Sequence, residues 1–404
     1  MAIFRKPRHT PSREIGLYIH IPFCAEKCMY CDFYSLPCGG MGDADMARLT
    51  DDYCDAVMLQ LEDQAGIAGQ CVVDSVYLGG GTPTMLSSRQ LVDMLDCVCD
   101  NYKVASDAEI TVEANPGTVE KFGKKGLMGL RRAGVSRVSM GMQSGDDAEL
   151  RALGRIHRAE DVRSSVESLR EAGIENISLD LMYGIPLQTR DSLFDSIDAA
   201  AALEPKHISL YGLTIEPGTP FDTVKDKLDL PSDDEMADMY LAAVEYLRRL
   251  GYRQYEISNF ALPGWACRHN LRYWRGGEYL GFGPAAASFF DRRRTRIGRH
   301  LDAYIDAMRA DGNLAPLCDE DELISGEDER SEYIMLHLRL VEGVSDAEYL
   351  SRYGEDFGER YQVSLLRMLS GGYITHENGR WVLTPQGMYV SNYILSDLLA
   401  VDGR

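Results

Sequence analysis

The 404-residue chain carries a formal net charge of −21, which argues against DNA, RNA or an anionic membrane as its main partner, because phosphate binding asks for a basic face. A hydrophobic content of 45% fits an ordinary globular protein, and no apolar run approaches the roughly 20 residues of a membrane-spanning helix, so no stable membrane insertion is expected. Ten cysteines without a recognisable secretory signal point to a reducing cytoplasm, where thiols stay free or bind metal.

Residues 1–14 are basic and lack an apolar stretch or a small-residue cleavage site, so they read as a loose tail. From Leu17 onward, short apolar runs alternate with helical patterns. Strands are predicted at 17–22, 73–78, 109–113, 137–142, 176–182 and 207–213, and helices at 43–64, 87–99, 120–133, 158–172 and 190–203. Strands separated by helices imply a parallel sheet covered on both faces. An open sheet and a curved partial barrel both satisfy this pattern. Polar or glycine-rich residues just after five successive strands favour the barrel, whose strand ends converge on one mouth.

After about residue 300 the character changes. The stretch 312–329 is acidic and reads as a loop, followed by a helix over 331–340. A helix near 365–369, a short hairpin through 373–383 and a closing helix over 386–399 make a small α+β unit similar to a winged helix. The expected division is therefore a tail (1–14), an α/β barrel with an extension (15–300) and a C-terminal α+β domain (301–404).

Cys24-Ala25-Glu26-Lys27-Cys28-Met29-Tyr30-Cys31 is C-x3-C-x2-C in a loop after the first strand. A closed zinc site needs four protein ligands, and no second matching pair is present. Three thiolates on a tight loop suit a cubane with one iron left open. This arrangement resembles the radical SAM superfamily, in which S-adenosylmethionine (SAM) completes the coordination of a [4Fe–4S] cluster. The resemblance implies SAM contacts from Tyr18, Tyr30, Gly80, Gly81, Thr82, Glu113, Gln143, Arg155 and Asp180. From its residues alone, the run Gly79-Gly80-Gly81 is equally well a tight strand-to-helix turn, and Tyr18 a core strand residue.

The runs LYIHIPFC (17–24), GGGTPT (79–84), EANPGT (113–118), SMGMQSGDD (139–147), LGRIH (153–157), SLDLMYGIP (178–186) and HISLYGLTIEPGT (207–219) are similar to the HemN/HemW branch of that superfamily. The resemblance spans nearly the whole chain and implies a partial (β/α)6 barrel with a small C-terminal domain. Oxygen-independent coproporphyrinogen III oxidases carry a fourth cysteine two residues beyond the third ligand. Here that place is Phe33, as in HemW proteins. His269-Asn270-Leu271-Arg272-Tyr273-Trp274 matches the HNxxYW motif associated with haem in that group, which implies haem contacts from His269, Asn270, Tyr273 and Trp274. On chemistry alone the hexad is also a buried histidine beside two core aromatics.

The resemblance thus implies a haem chaperone that passes haem to acceptor proteins, with a flavodoxin or ferredoxin as electron donor to the cluster. The alternatives are oxidative decarboxylation of coproporphyrinogen III, or another radical SAM reaction such as methylation. The basic run Arg292-Arg293-Arg294-Thr295-Arg296 reads as a solvated surface stretch, although Arg forks also suit haem propionates or an acidic partner. Of the seven remaining cysteines, only Cys267, two residues before His269, is placed for haem contact.

Overall fold

The structure, a computed structural model, describes residues 13–401. The first twelve residues of the expected tail lie outside that range, and Glu14 already opens the first strand.

Six β/α units follow one another: β1 (Glu14–Ile21), α1 (Asp43–Ala68), β2 (Val72–Gly80), α2 (Ser88–Asn101), β3 (Val104–Ala114), α3 (Gly123–Arg132), β4 (Arg137–Gln143), α4 (Ala159–Glu171), β5 (Asn176–Tyr183), α5 (Arg190–Ala201) and β6 (His207–Gly212). Neighbouring strands from β1 to β6 pair in parallel, as their intervening helices require. Alternation along β1 sends Ile15, Leu17, Ile19 and Ile21 to the fully buried layer under the helices. Gly16, Tyr18 and His20 then face the other way, into the barrel. Local signals fix the helix starts: Ser87 caps α2 with a reciprocal Gln90 contact, and Thr189 caps α5 in the same manner.

The chain continues through α6 (Asp233–Arg249), β7 (Asn259–Ala261), α7 (Arg268–Trp274), β8 (Tyr279–Phe282), β9 (Ala287–Phe290), β10 (Arg293–Ile297), α8 (Leu301–Ala310), β11 (Cys318–Leu323) and α9 (Gly326–His337). One sheet of 12 strands results, in the order β11-β10-β9-β8-β1-β2-β3-β4-β5-β6-β7 and finally Arg253–Gln254. β8 joins β1 in parallel, and β9, β10 and β11 add antiparallel strands beyond it.

This extension overturns one expectation and adds to another. The acidic stretch read as a loop contains β11, and the arginine run, solvent-exposed as expected at Arg292, Arg293 and Arg296, is its partner strand β10. Arg293 pairs with Asp321, Arg296 with Asp319 and Glu320, and Arg294 with Glu322 and with Glu332 of α9. The remaining chain folds as a three-stranded sheet (Val344–Ser345, Arg380–Leu383, Ile374–Glu377) with short helices around Tyr333, Tyr349, Phe357, Tyr361 and Trp381. Among the described residues no helix is long and apolar enough to cross a membrane.

Gly80 has φ +106°, and a Cβ there would sit 2.5 Å from the His20 ring. Gly117, also left-handed at φ +79°, has open space around it. Gly80→Ala should therefore cost about 3 kcal/mol or more in urea denaturation, and Gly117→Ala about 1 kcal/mol. Equal losses would show that the approach of β2 to His20 is not what constrains this turn.

Candidate functional site

Beyond β1 the chain turns through Phe23–Cys24, which pairs with Leu36–Pro37 and closes the cysteine loop at its base. Backbone bonds fix the rest. Cys38 N donates to Cys24 O (2.8 Å), Met29 N to Leu153 O (3.1 Å) and Phe221 N to Met29 O (2.9 Å). Left-handed Gly154 (φ +73°) lets the loop lie close: a Cβ there would meet Met29 Cγ at 2.9 Å. The loop is thus a platform held from three sides, with the three thiols free and partly exposed.

Polar groups on neighbouring strand ends surround the thiols. Cys24 Sγ lies 3.5 Å from Thr82 Oγ1, and Arg155 Nη1 donates to Cys28 Sγ at 3.3 Å. Asn115 joins these two contacts, donating to Thr82 Oγ1 (2.9 Å) and accepting from Arg155 Nη2 (2.6 Å). The continuous chain Cys24–Thr82–Asn115–Arg155–Cys28 is the main feature that sequence reading missed. Asn115 lies inside the EANPGT run, but nothing in the run alone assigns it a contact.

Among the described residues no three His, Cys, Asp or Glu side chains gather closely enough to hold one metal ion. Three separate thiols on a rigid rim, flanked by a cation, fit the outer irons of a cubane.

Glu113 accepts from Gly80 N (3.0 Å) and from the Tyr77 hydroxyl (2.8 Å). Burial pushes its carboxyl up to about 7. Gln143 ends β4 in a left-handed conformation (φ +65°). Tyr30 packs with Met29 against Leu153, Ile185 and Phe221. Asp180 is engaged by three serine hydroxyls, those of Ser139, Ser178 and Ser209, the last at 2.6 Å. The structure thus bonds Thr82 and Arg155 to the cysteines and links them through Asn115, joins Gly80 to Glu113 in a second group, and gives Asp180 its own serine cage.

The four residues of the HNxxYW motif divide. His269 and Tyr273 are four apart on α7 and share a face. His269 is buried, with Nδ1 3.0 Å from Ser75 Oγ, Nε2 2.8 Å from the Tyr273 hydroxyl, and its ring stacked on Tyr77. Burial, then Arg272 and Arg137, lower its pKa to about 3. With both nitrogens engaged, a direct role at iron would require one of these two contacts to break. Trp274 lies under Arg339 on another side of the helix. Cys267 is fully buried, its thiol 3.4 Å from Glu109.

Tyr273 itself reaches a cleft of about 420 Å³ on the inner side of β1. The cleft runs from Tyr273 past Tyr18 and His20 to Phe33 and Tyr34, two and three residues beyond Cys31. Tyr18, expected at the SAM mouth, is a wall of this cleft, with its hydroxyl 3.0 Å from His20 Nδ1.

Residues 18–200 match the family model of the radical SAM superfamily, and residues 324–390 that of the HemN C-terminal domain. The chain is 36% identical over 387 residues to the "Heme chaperone HemW" of Bacillus subtilis (strain 168), an alignment covering 95% of this chain and 98% of that protein. Identity to the Escherichia coli (strain K12) protein of the same name is 35% over 393 residues, covering 96% and 98%. Among solved structures it is similar to "Coproporphyrinogen III oxidase (HemN)" from Escherichia coli, described as a radical SAM enzyme. The TM-score is 0.81 with 23% identity, over 96% of this chain and 90% of that one, which establishes a common fold.

A histidine whose folded pKa is about 3, against an ordinary 6.5, is favoured only while neutral. Its contribution to stability is present above pH 6.5 and is lost as pH falls below that value towards 3. In His269→Gln, the decline in urea stability between pH 6.5 and 5 should be shallower than in wild type, by up to about 1.4 kcal/mol per pH unit. Parallel declines would mean that His269 is not held neutral.

Proposed function

Since the chain belongs to the HemW family of the radical SAM superfamily, we propose that it is a cytoplasmic haem chaperone. In this reading it binds haem and transfers it to acceptor proteins, and it carries a SAM-ligated [4Fe–4S] cluster on Cys24, Cys28 and Cys31. The observation that carries the reading is the cleft itself. One surface is shared by Tyr273 of the HNxxYW helix and by Phe33 and Tyr34 of the cysteine loop, so a ligand there touches both motifs.

At the mouth, Gly80 and Glu113 are the proposed receivers of SAM's amino group. Gln143 and Arg155 would meet its carboxylate or ribose, with Gly81 and Thr82 shaping the turn and Tyr30 beneath. Asp180 acts from its serine cage on the same interior. Cys24, Cys28 and Cys31 would hold the cluster, which would supply one-electron reducing chemistry to bound SAM. The protein's own part is to hold the thiols, orient the cofactor and keep bulk water off the interior. His269, buried behind Tyr273, would hold that hydroxyl and so fix the ring that faces the cleft. A flavodoxin or ferredoxin is the proposed electron donor.

Anaerobically reconstituted protein should bind haemin stoichiometrically by absorbance. His269→Ala should weaken that binding by about tenfold or more, since it leaves the buried Tyr273 hydroxyl without its partner. Coproporphyrinogen III should pass through unchanged by chromatography. Its decarboxylation, coupled to 5′-deoxyadenosine, would instead make this an enzyme of the HemN type.

The Glu113 carboxyl, raised to about 7, must be ionised to receive an amino group. Calorimetric SAM affinity should therefore rise between pH 6 and 8, with a contribution of up to about tenfold from this residue. Glu113→Gln should flatten the profile by that amount. An unchanged profile would remove Glu113 from the SAM site.

A further inference from the structure

The sheet extension builds the cleft's far side. Across β8, β9 and β10 the register pairs Tyr279 with Phe289 and Phe289 with Arg294, while Ala287 pairs with Arg296. Strand alternation turns Arg294 and Arg296 towards the cleft and Arg293 away from it. Ala285 and Ala287 leave the floor low, and Tyr273, Tyr279 and Phe289 stand as aromatic walls. A low floor between aromatic walls suits a flat, largely apolar ring system.

The charge of the cleft runs against that of the chain. Three arginines and one glutamate line it, in a protein whose net charge is −21. The three arginines are not equivalent. Arg294 is committed: both of its terminal nitrogens reach Glu332, at 2.6 and 2.9 Å, and its guanidinium lies over Phe289. Arg296 gives Nε to Asp319 (2.8 Å) and sits 3.5 Å from Glu320. Arg299 has an ion pair to Asp32 at 3.6 Å, beyond hydrogen-bond length, and its side chain is 56% exposed. Each guanidinium has five N–H donors, so Arg296 and Arg299 both retain donors for an incoming carboxylate.

We propose that this cleft is the seat of a flat dicarboxylate macrocycle, with Arg296 and Arg299 receiving its two carboxylates. The assignment rests on the haem-binding reading and makes it specific, since haem is such a ligand with two propionates. The ring lies against Tyr273, Tyr279 and Phe289. Arg294 serves as a fixed wall held by Glu332.

The test titrates full-length protein with haemin and with haemin dimethyl ester, in which both carboxylates are masked. Wild type should bind the ester at least tenfold more weakly than haemin. The double variant Arg296→Ala/Arg299→Ala should lose at least tenfold in haemin affinity and bind the ester as wild type does. Arg293→Ala, on the opposite face, should match wild type for both ligands. Equal wild-type affinities for haemin and ester would overturn the seat while leaving haem binding in place. So would a double variant that binds haemin normally. Wild type that binds neither ligand would overturn the haem reading and this assignment together. The wild-type comparison of the two ligands decides the matter even if the double variant folds poorly.

Discussion

The mouth of the barrel depends on how closely the glycine turn after β2 approaches the end of β1. Gly81 N donates to Ile21 O and Thr82 N to Phe23 O, at 2.8 and 2.7 Å, so the β1–β2 ladder runs on into the cysteine loop. A side chain at Gly80 would strike His20, and one at Gly81 would strike the Phe23 carbonyl. His20 Nε2 in turn lies 2.8 Å from Tyr34 O, on the returning limb of the same loop. Both feet of the loop are thereby tied to one pair of strands. The glycine run is thus required by its neighbours before any ligand is considered, and the positions of the thiols follow from it.

The barrel interior is polar where the fill of such a sheet is more often branched and apolar. Burying these groups is tolerable because most are paired. His207 lies between Ser178 (2.8 Å) and Tyr255 (2.7 Å), as His269 does between Ser75 and Tyr273. Burial holds both imidazoles neutral, which lets each serve as donor on one side and acceptor on the other. Tyr77 connects the two regions: its hydroxyl donates to Glu113 at the mouth, and its ring stacks on His269 behind the cleft. The proposed SAM and haem sites therefore share a wall rather than lying on separate surfaces. Arg137, 1% exposed on the inner side of β4, keeps Nε and Nη1 without hydrogen-bond partners.

The six β/α units were legible in the sequence because parallel strands covered on both faces are nearly continuous apolar runs. The cysteine spacing was equally open, being local. What sequence reading could not reach was pairing between distant segments of opposite charge. The acidic run before residue 329 looks like a solvated loop on its own, and the arginine run looks like solvated surface. Only together do they make sense, as antiparallel edge strands whose side chains neutralise one another from Arg293–Asp321 to Arg296–Asp319. The same limit hid Asn115, whose role comes from two partners 33 and 40 residues away. It also hid the position of His269 behind Tyr273, since the four-residue spacing gives a common face but not what lies in front of it.

Phe33 stands where the related oxidases have a further cysteine, and its ring is 69% exposed at the rim of the cleft. An apolar ring kept at that rim gains most when another apolar surface covers it. Its neighbour Asp32 pairs loosely with Arg299, the most exposed cation of the cleft. A carboxylate received by Arg299 would compete with Asp32, the residue next to Cys31. Occupancy of the proposed seat would then alter the charge immediately beside the cluster loop. The reverse holds equally, because whatever sets the loop sets Asp32 and hence the freedom of Arg299. If cargo and cluster both occupy these sites, this one ion pair would link them without a long path between them.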